Sequence, residues 1–331
     1  MAGAAPYQVQ HTLQAHAGAV HVARYNTGGK YLLTGGADQQ IQLWNTRAIP
    51  SDDVDVKGRT QSIHRYSAHS YEILCLDIAH DNMRFASGGP DRAVLLWDVA
   101  SGQVLRRFSA HSGRINDVKF GGANNDGNVL FTAGSDTVLR AYDLRANNAW
   151  RPILEANEAR DALLAMALTS PATLHTGSVD GVVRTYDLRM GELRADLIDQ
   201  PVTSLTPTKD NAALLVSALD SPHRLMDLAD GSVLQKYEGH VQASFRCHST
   251  LSVDEMYVLG GDERGCVYMW DFVGGQCAMQ NVPDYGASAR YRRTNAPVTV
   301  LWTECSPDTS APQFVSASSC GSVHVWERTS V

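Results

Sequence analysis

The chain has 331 residues, 44% of them apolar and 8% aromatic, enough to bury a sizeable core instead of remaining a disordered polyelectrolyte. Lys and Arg number 28 against 35 Asp and Glu, a net charge of −7, which excludes a globally cationic nucleic-acid binder and confines any RNA contact to a local patch. No apolar run approaches the roughly 20 residues that span a bilayer, and the stretch from Met1 to Tyr7 lacks the basic-then-apolar order of a secretory leader, so neither membrane insertion nor secretion is expected. The six cysteines, Cys75, Cys247, Cys266, Cys277, Cys305 and Cys320, form no Cys-x-x-Cys pair and read as reduced, mostly buried thiols of a cytosolic or nuclear protein.

Along the chain, Gln8 to Leu13 comes first, ahead of His16 and with no unit of its own. A repeat then begins. An aromatic or apolar residue followed by an acid or amide closes a strand at Trp44-Asn45, Trp97-Asp98, Tyr142-Asp143, Tyr186-Asp187, Met226-Asp227, Trp270-Asp271 and Trp326-Glu327. Successive spacings are 53, 45, 44, 40, 44 and 56, near the roughly 40–45 residues of a four-stranded propeller blade, with two insertions. Six residues before the closing position stand Asp38, Asp91, Asp136, Asp180 and Asp220, replaced by Arg264 and Cys320 in the last two units. Small-residue turns such as Thr34-Gly-Gly-Ala-Asp38 precede the aspartates, and apolar strands such as Ala93-Val-Leu-Leu-Trp97 follow them. Glu155 to Leu168 has helix-forming composition, but the spacing puts Leu163 to Leu168 on an inner strand. His16, His69, His111 and His240 stand at the start of units.

These Ala/Gly-His starts and Trp/Tyr-Asp ends resemble the WD-repeat β-propeller family across essentially the whole chain. The resemblance implies an all-β, seven-bladed propeller forming one domain over 1–331, with insertions near 50–61 and 282–296. Only five residues follow Trp326, so residues 7–15 are expected to supply the outer strand of the seventh blade and close the ring. The family pattern also implies hydrogen-bonded sets: His16, Thr34, Asp38 and Trp44; His69, Ser87, Asp91 and Trp97; and His111, Thr132, Asp136 and Tyr142. Such a His-Ser/Thr-Asp grouping superficially matches a hydrolase triad, but it recurs in several blades and has no nucleophile elbow. With no zinc spacing, no His-Glu-x-x-His and no phosphate-binding Gly-Lys loop, neither an enzyme, a metal, a cofactor nor a small-molecule substrate is expected.

Two stretches, Ser87 to Phe108 and Glu158 to Leu193, resemble more specifically the mitogen-activated protein kinase organizers within that family. This implies a monomeric, non-enzymatic scaffold of nucleus and cytoplasm that gathers proteins of a large assembly, either splicing factors of the activated spliceosome or components of a kinase cascade. Candidate partner-binding residues are Tyr71, Arg114, Arg160 and Asp161 near the channel on the histidine face. The insertion between the sixth and seventh blades adds Tyr285, Arg290, Tyr291, Arg292 and Arg293, of which 290–293 could also touch RNA. On the opposite face Tyr142-Asp143-Leu-Arg145 and Tyr186-Asp187-Leu-Arg189 resemble the boxes of cullin-RING ubiquitin-ligase substrate receptors, an alternative setting whose plainer reading is strand-end capping.

Overall fold

The computed structural model describes residues 7–47, 62–122, 126–146, 148–285 and 298–329. Most of both insertions, including Arg290, Tyr291, Arg292 and Arg293, therefore lies outside the described residues. The described chain forms seven four-stranded antiparallel sheets and no helix. In blade 1 the strands are Val20–Tyr25, Tyr31–Gly36, Ile41–Asn45 and His64–Tyr66, ordered from channel to rim. Blades 2 to 6 repeat that order with inner strands Cys75–Ile78, Ile115–Gly121, Leu163–Ser170, Val202–Pro207 and Thr250–Leu251. The helix-forming composition around Glu155 is overridden: Leu154–Ala156 is the outer strand of blade 3 and Leu163–Ser170 the inner strand of blade 4. Burial of Leu163, Ala165, Met166 and Ala167 between neighbouring blades decides it.

Blade 7 takes three strands from the end of the chain, Val300–Cys305, Gln313–Ser318 and Ser322–Arg328, and its outer strand from the beginning, Tyr7–Gln14. Tyr7 opposes Arg328, and Gln14 opposes Ser322. Tyr7 and Leu13 are almost wholly buried, and Tyr7 packs edge-on against Phe314 at 5.2 Å. Between blades, the third-strand aromatics Trp97, Trp270 and Trp326 are fully enclosed, and Phe85 stacks on Trp97 as Phe314 does on Trp326. The six cysteines are free; Cys75, Cys247 and Cys266 are buried and Cys277 is exposed.

The turn between second and third strands has the same backbone in all seven blades. Gln39, Arg92, Thr137, Gly181, Ser221, Gly265 and Gly321 all have φ between 58° and 92°. Where the preceding residue is the turn aspartate, its carboxylate accepts a backbone N–H just beyond the strained position, as Asp38 does from Gln40 (3.3 Å) and Asp180 from Val182 (3.1 Å). Where Arg264 or Cys320 stands instead, glycine occupies the left-handed site, so the conformation carries no Cβ penalty.

Deleting residues 1–15 should lower the melting temperature markedly, because it unpairs Ser322–Arg328 and uncovers the apolar face that Tyr7 and Leu13 shield. An unchanged melting curve would overturn the closure role.

Candidate interaction faces

Three blades carry a buried polar clip. His16 Nδ1 lies 2.8 Å from Asp38 and its Nε2 2.8 Å from Thr34 Oγ1, which also accepts the Trp44 indole N–H at 3.0 Å. His69 repeats this with Asp91 (2.6 Å), Ser87 (2.7 Å) and Trp97 (2.8 Å). A carboxylate only accepts, so Nδ1 carries the proton and the hydroxyl donates to Nε2. In blade 3, His111 meets Asp136 and Thr132, both at 2.8 Å, and the Tyr142 ring is buried against Phe108 at 4.7 Å with Thr132 as the side-chain partner of its hydroxyl. The Thr34, Ser87 and Thr132 hydroxyls are shut off from solvent, so these groupings tie a hairpin to the strand crossing behind it. Burial alone would raise the Asp38 and Asp91 carboxyls, yet hydrogen bonds from His16 and His69 outweigh it and hold both below the ordinary range.

Blades 4 and 5 start without the histidine, and an arginine four residues past the aspartate replaces it. Arg184 donates to Asp180 at 2.7 Å and to Ser178 at 2.8 Å, and Arg224 pairs with Asp220. Blade 6 departs further. Gly260 stands where the other clips carry Ser or Thr, because His223 of blade 5 fills the space: any Cβ on Gly260 would lie 2.5 Å from its Nε2. His223 stacks on His240 with ring centroids 4.0 Å apart, and Trp270 turns its indole N–H to the Glu238 carbonyl at 2.9 Å. Burial holds His223 neutral, and it lowers His240 to about 4. The turn acid is supplied by a neighbour: Glu263 accepts the backbone N–H groups of Ala243 (2.7 Å), Ser244 (2.5 Å) and Phe245 (2.9 Å).

Charged groups on the inner strands join blades around the channel. Arg24 of blade 1 donates to Glu304 of blade 7 at 3.0 Å and lies 3.8 Å from Asp77 of blade 2. Asp77 accepts the Phe120 N–H at 2.8 Å, and Asp117 of blade 3 accepts that of Met166 in blade 4 at 2.7 Å. Arg24 also faces the Trp302 ring at 5.3 Å, itself stacked on His248 at 3.8 Å. Burial raises Asp77 to about 7, against the pull of Arg24. Near the histidine face, Arg246 crosses the channel, donating to the Thr203 carbonyl at 3.0 Å and the Asn116 carbonyl at 2.8 Å. Burial lowers its pKa while Asp117 opposes the shift. The same loop, capped by Glu263, leaves Phe245 51% exposed.

Of the residues singled out from the sequence, Tyr71 is 58% exposed on the histidine face. Arg114 is exposed and donates to Ser135 at 3.1 Å, in the same neighbourhood as Arg246. Arg160 and Asp161 are exposed at the start of blade 4, with the Arg160 N–H capped by Asp180. Tyr285 does not face outward as a partner-binding residue would: its hydroxyl donates to the Gly265 carbonyl and its ring meets His324 edge-on at 5.2 Å. On the opposite face Arg145 is held by its own Asp143 at 3.1 Å, and Asp187 accepts the N–H groups of Arg189 and Met190, the strand-end capping expected of any propeller. Sequence reading missed Phe245, Arg246 and Glu263, because the signal for them is only the missing turn aspartate of the sixth unit.

This fold defines a β-propeller assembled from WD repeats. The model of the WD domain, G-beta repeat, matches residues 7–45, 60–98 and 102–143. Similar proteins include WD repeat domain-containing protein 83 of Homo sapiens, 38% identical over 81% of this chain and 80% of that protein. The corresponding protein of Danio rerio is 37% identical over 83% of this chain and 82% of its own length. The WD repeat domain-containing protein 83 homolog of Dictyostelium discoideum is 29% identical over 80% and 85%. The chain belongs to the WD-repeat family, whose propellers are generally non-enzymatic scaffolds that mediate protein–protein contacts.

Asp91→Ala leaves buried His69 without its acceptor and should cost about 1–3 kcal/mol, read as a lowered urea midpoint; an unchanged midpoint would show that the clip contributes nothing. Burial also sets an acid limit. His175 and His240 are both lowered to about 4 from about 6.5 in the unfolded chain, so the unfolded state binds more protons between those values. Their stabilisation is complete above pH ~6.5 and is lost as pH falls toward 4, by up to about 1.4 kcal/mol per pH unit for each. Melting temperature measured against pH should fall over this window, and less steeply in His240→Phe.

Proposed function

We propose that the protein is a non-enzymatic scaffold of a large protein assembly in the nucleus and cytoplasm, and that partners dock over the channel mouth on the histidine face. The observation that carries the reading is Phe245, left in water on a loop fixed from two sides by Glu263 and Arg246. An aromatic ring held rigid before binding forfeits little entropy when covered, which is the behaviour of an interface hot spot. Exposed Tyr71 and Arg114 lie on the same face. The organizer-like stretches from Ser87 to Phe108 and Glu158 to Leu193, together with the likeness to WD repeat domain-containing protein 83, favour two settings: a spliceosomal complex and a mitogen-activated protein kinase cascade. Of these the spliceosome is preferred, because the basic, tyrosine-bearing insertion with Arg290, Arg292 and Arg293 suits a nucleoprotein assembly.

Affinity purification from nuclear and cytoplasmic extracts, with quantitative mass spectrometry, tests the reading on the wild type, a Tyr71→Ala/Phe245→Ala variant and one with Arg290, Arg292 and Arg293 neutralised. Splicing factors should be recovered with the wild type and lost from the first variant at unchanged melting temperature. Retention by that variant removes the histidine face as the docking site, and recovery of kinase-cascade proteins alone overturns the splicing assignment. RNA contact through 290–293 would appear as steeply salt-dependent binding absent from the arginine variant.

A further inference from the structure

On the face opposite the histidines, the connection from the third to the outer strand of blade 3 is long. It runs over 144–153, against 99–103, 188–191, 228–232 and 272–276 in blades 2, 4, 5 and 6. Its described part is well anchored. Leu144 and Ala149 are buried, the Leu144 N–H meets the Asn128 carbonyl at 2.8 Å, and the Ile153 N–H meets the Ala141 carbonyl at 2.7 Å. Turns from Ala149 to the Ala146 carbonyl and from Arg151 to that of Asn148 fix the tip. That tip leaves the largest side chain available in water: Trp150 is 61% exposed, with Ile153 beside it at 62%. The Arg151 guanidinium sits 4.7 Å over the Trp150 ring. Arg106, from the outer strand of blade 2, reaches across the seam to the Leu144 carbonyl at 3.0 Å.

The cations around this ring are only partly paired. Arg145 pairs with Asp143, but Arg106 and Arg151 have no carboxylate partner among the described residues. Trp and Arg are the residue types that most often anchor interfaces, and a guanidinium laid on an indole keeps its N–H edge free for a carboxylate.

We propose that Trp150, Arg151, Ile153 and Arg106 form a second docking site, on the opposite face from Phe245, for a linear acidic segment of a partner protein that carries aliphatic side chains among its carboxylates. The acidic residues pair with Arg151 and Arg106, and the aliphatic groups cover Trp150 and Ile153. A peptide fits better than a nucleic acid, because exposed Ile153 offers a base nothing to stack on but suits an aliphatic side chain of a peptide. With one partner on each face, the propeller would hold two proteins at a fixed separation.

The test is fluorescence anisotropy with a labelled twelve-residue peptide of Glu-Glu-Leu repeats, its Lys-Lys-Leu counterpart and a twelve-nucleotide oligouridylate, titrated with the wild type, Trp150→Ala, Arg151→Glu and Phe245→Ala. Saturable binding of the acidic peptide is expected, weakened at least tenfold by Trp150→Ala and by Arg151→Glu at unchanged melting temperature and left intact by Phe245→Ala, with no binding of the lysine peptide. Absence of acidic-peptide binding, or binding indifferent to both blade 3 substitutions, overturns the site. Loss only in Phe245→Ala moves the peptide to the histidine face, and oligouridylate binding that disappears with Trp150→Ala replaces the peptide with RNA; either result overturns the proposal. Because Phe245→Ala reads the histidine face separately, failure here leaves the scaffold reading untouched.

Discussion

Every blade has two apolar faces, and a four-stranded sheet with both faces bare has nowhere to put them except against a neighbour on each side. That requirement is met only if the ring closes, and closure here depends on one antiparallel ladder between Tyr7–Gln14 and Ser322–Arg328. The ladder pairs the two ends of the chain, so the longest loop-closure entropy in the molecule is offset by the outer strand of blade 7. Tyr7 against Phe314 and Leu13 inside the core give the ladder its register, since a one-residue slip would turn both side chains to solvent.

Within that ring the same structural problem, a hairpin turn with a left-handed residue standing over a buried strand, is met by different chemistry in different blades. Blades 1 and 2 use histidine, hydroxyl, aspartate and indole in a single chain of hydrogen bonds. Blades 4 and 5 substitute an arginine four residues past the aspartate, whose guanidinium reaches the acid from the adjoining strand. Blade 6 keeps the histidine but loses the hydroxyl and the turn acid, stacks two neutral imidazoles, and hands the capping work to Glu263. A position can thus keep its backbone while its side chains change, because what is conserved between blades is the satisfaction of buried polar groups.

The blade 6 departure is also what gives the histidine face its character. Its inner strand is only Thr250–Leu251, and the chain released from the sheet before it carries Phe245 outward and Arg246 across the channel. Arg246, Arg24, Asp77, Asp117 and Glu304 then tie five inner strands or their approaches into one polar ring, in which each buried charge leans on a carbonyl, an N–H or an opposite charge of the next blade. Such a ring resists shear between blades, so loops on both faces are held at constant separation. Rigidity of this kind is what a scaffold contributes to an assembly.

Periodicity was enough to place the strands. Alternation sets the inner and outer faces, and the closing aromatics count the blades. The resemblance to WD repeats also implied the clips of blades 1 and 2, whose four members lie on one hairpin and its approach. Contacts between distant residues were not legible in this way. Arg246 meets Asn116 across 130 residues and Arg24 meets Glu304 across 280, and no spacing rule links such positions. Tyr285 looked like a surface anchor from its neighbours in sequence, yet the Gly265 turn and His324 draw it inward. Trp150 and Phe245 gave no sign of exposure, since an aromatic residue in a loop is as compatible with a core as with a surface. The sequence by itself determined the repeat and its number, because these follow from short-range hydrophobic patterning. Only the tertiary structure decided which aromatic rings face water and which charges are paired, because both depend on what the neighbouring blades bring alongside.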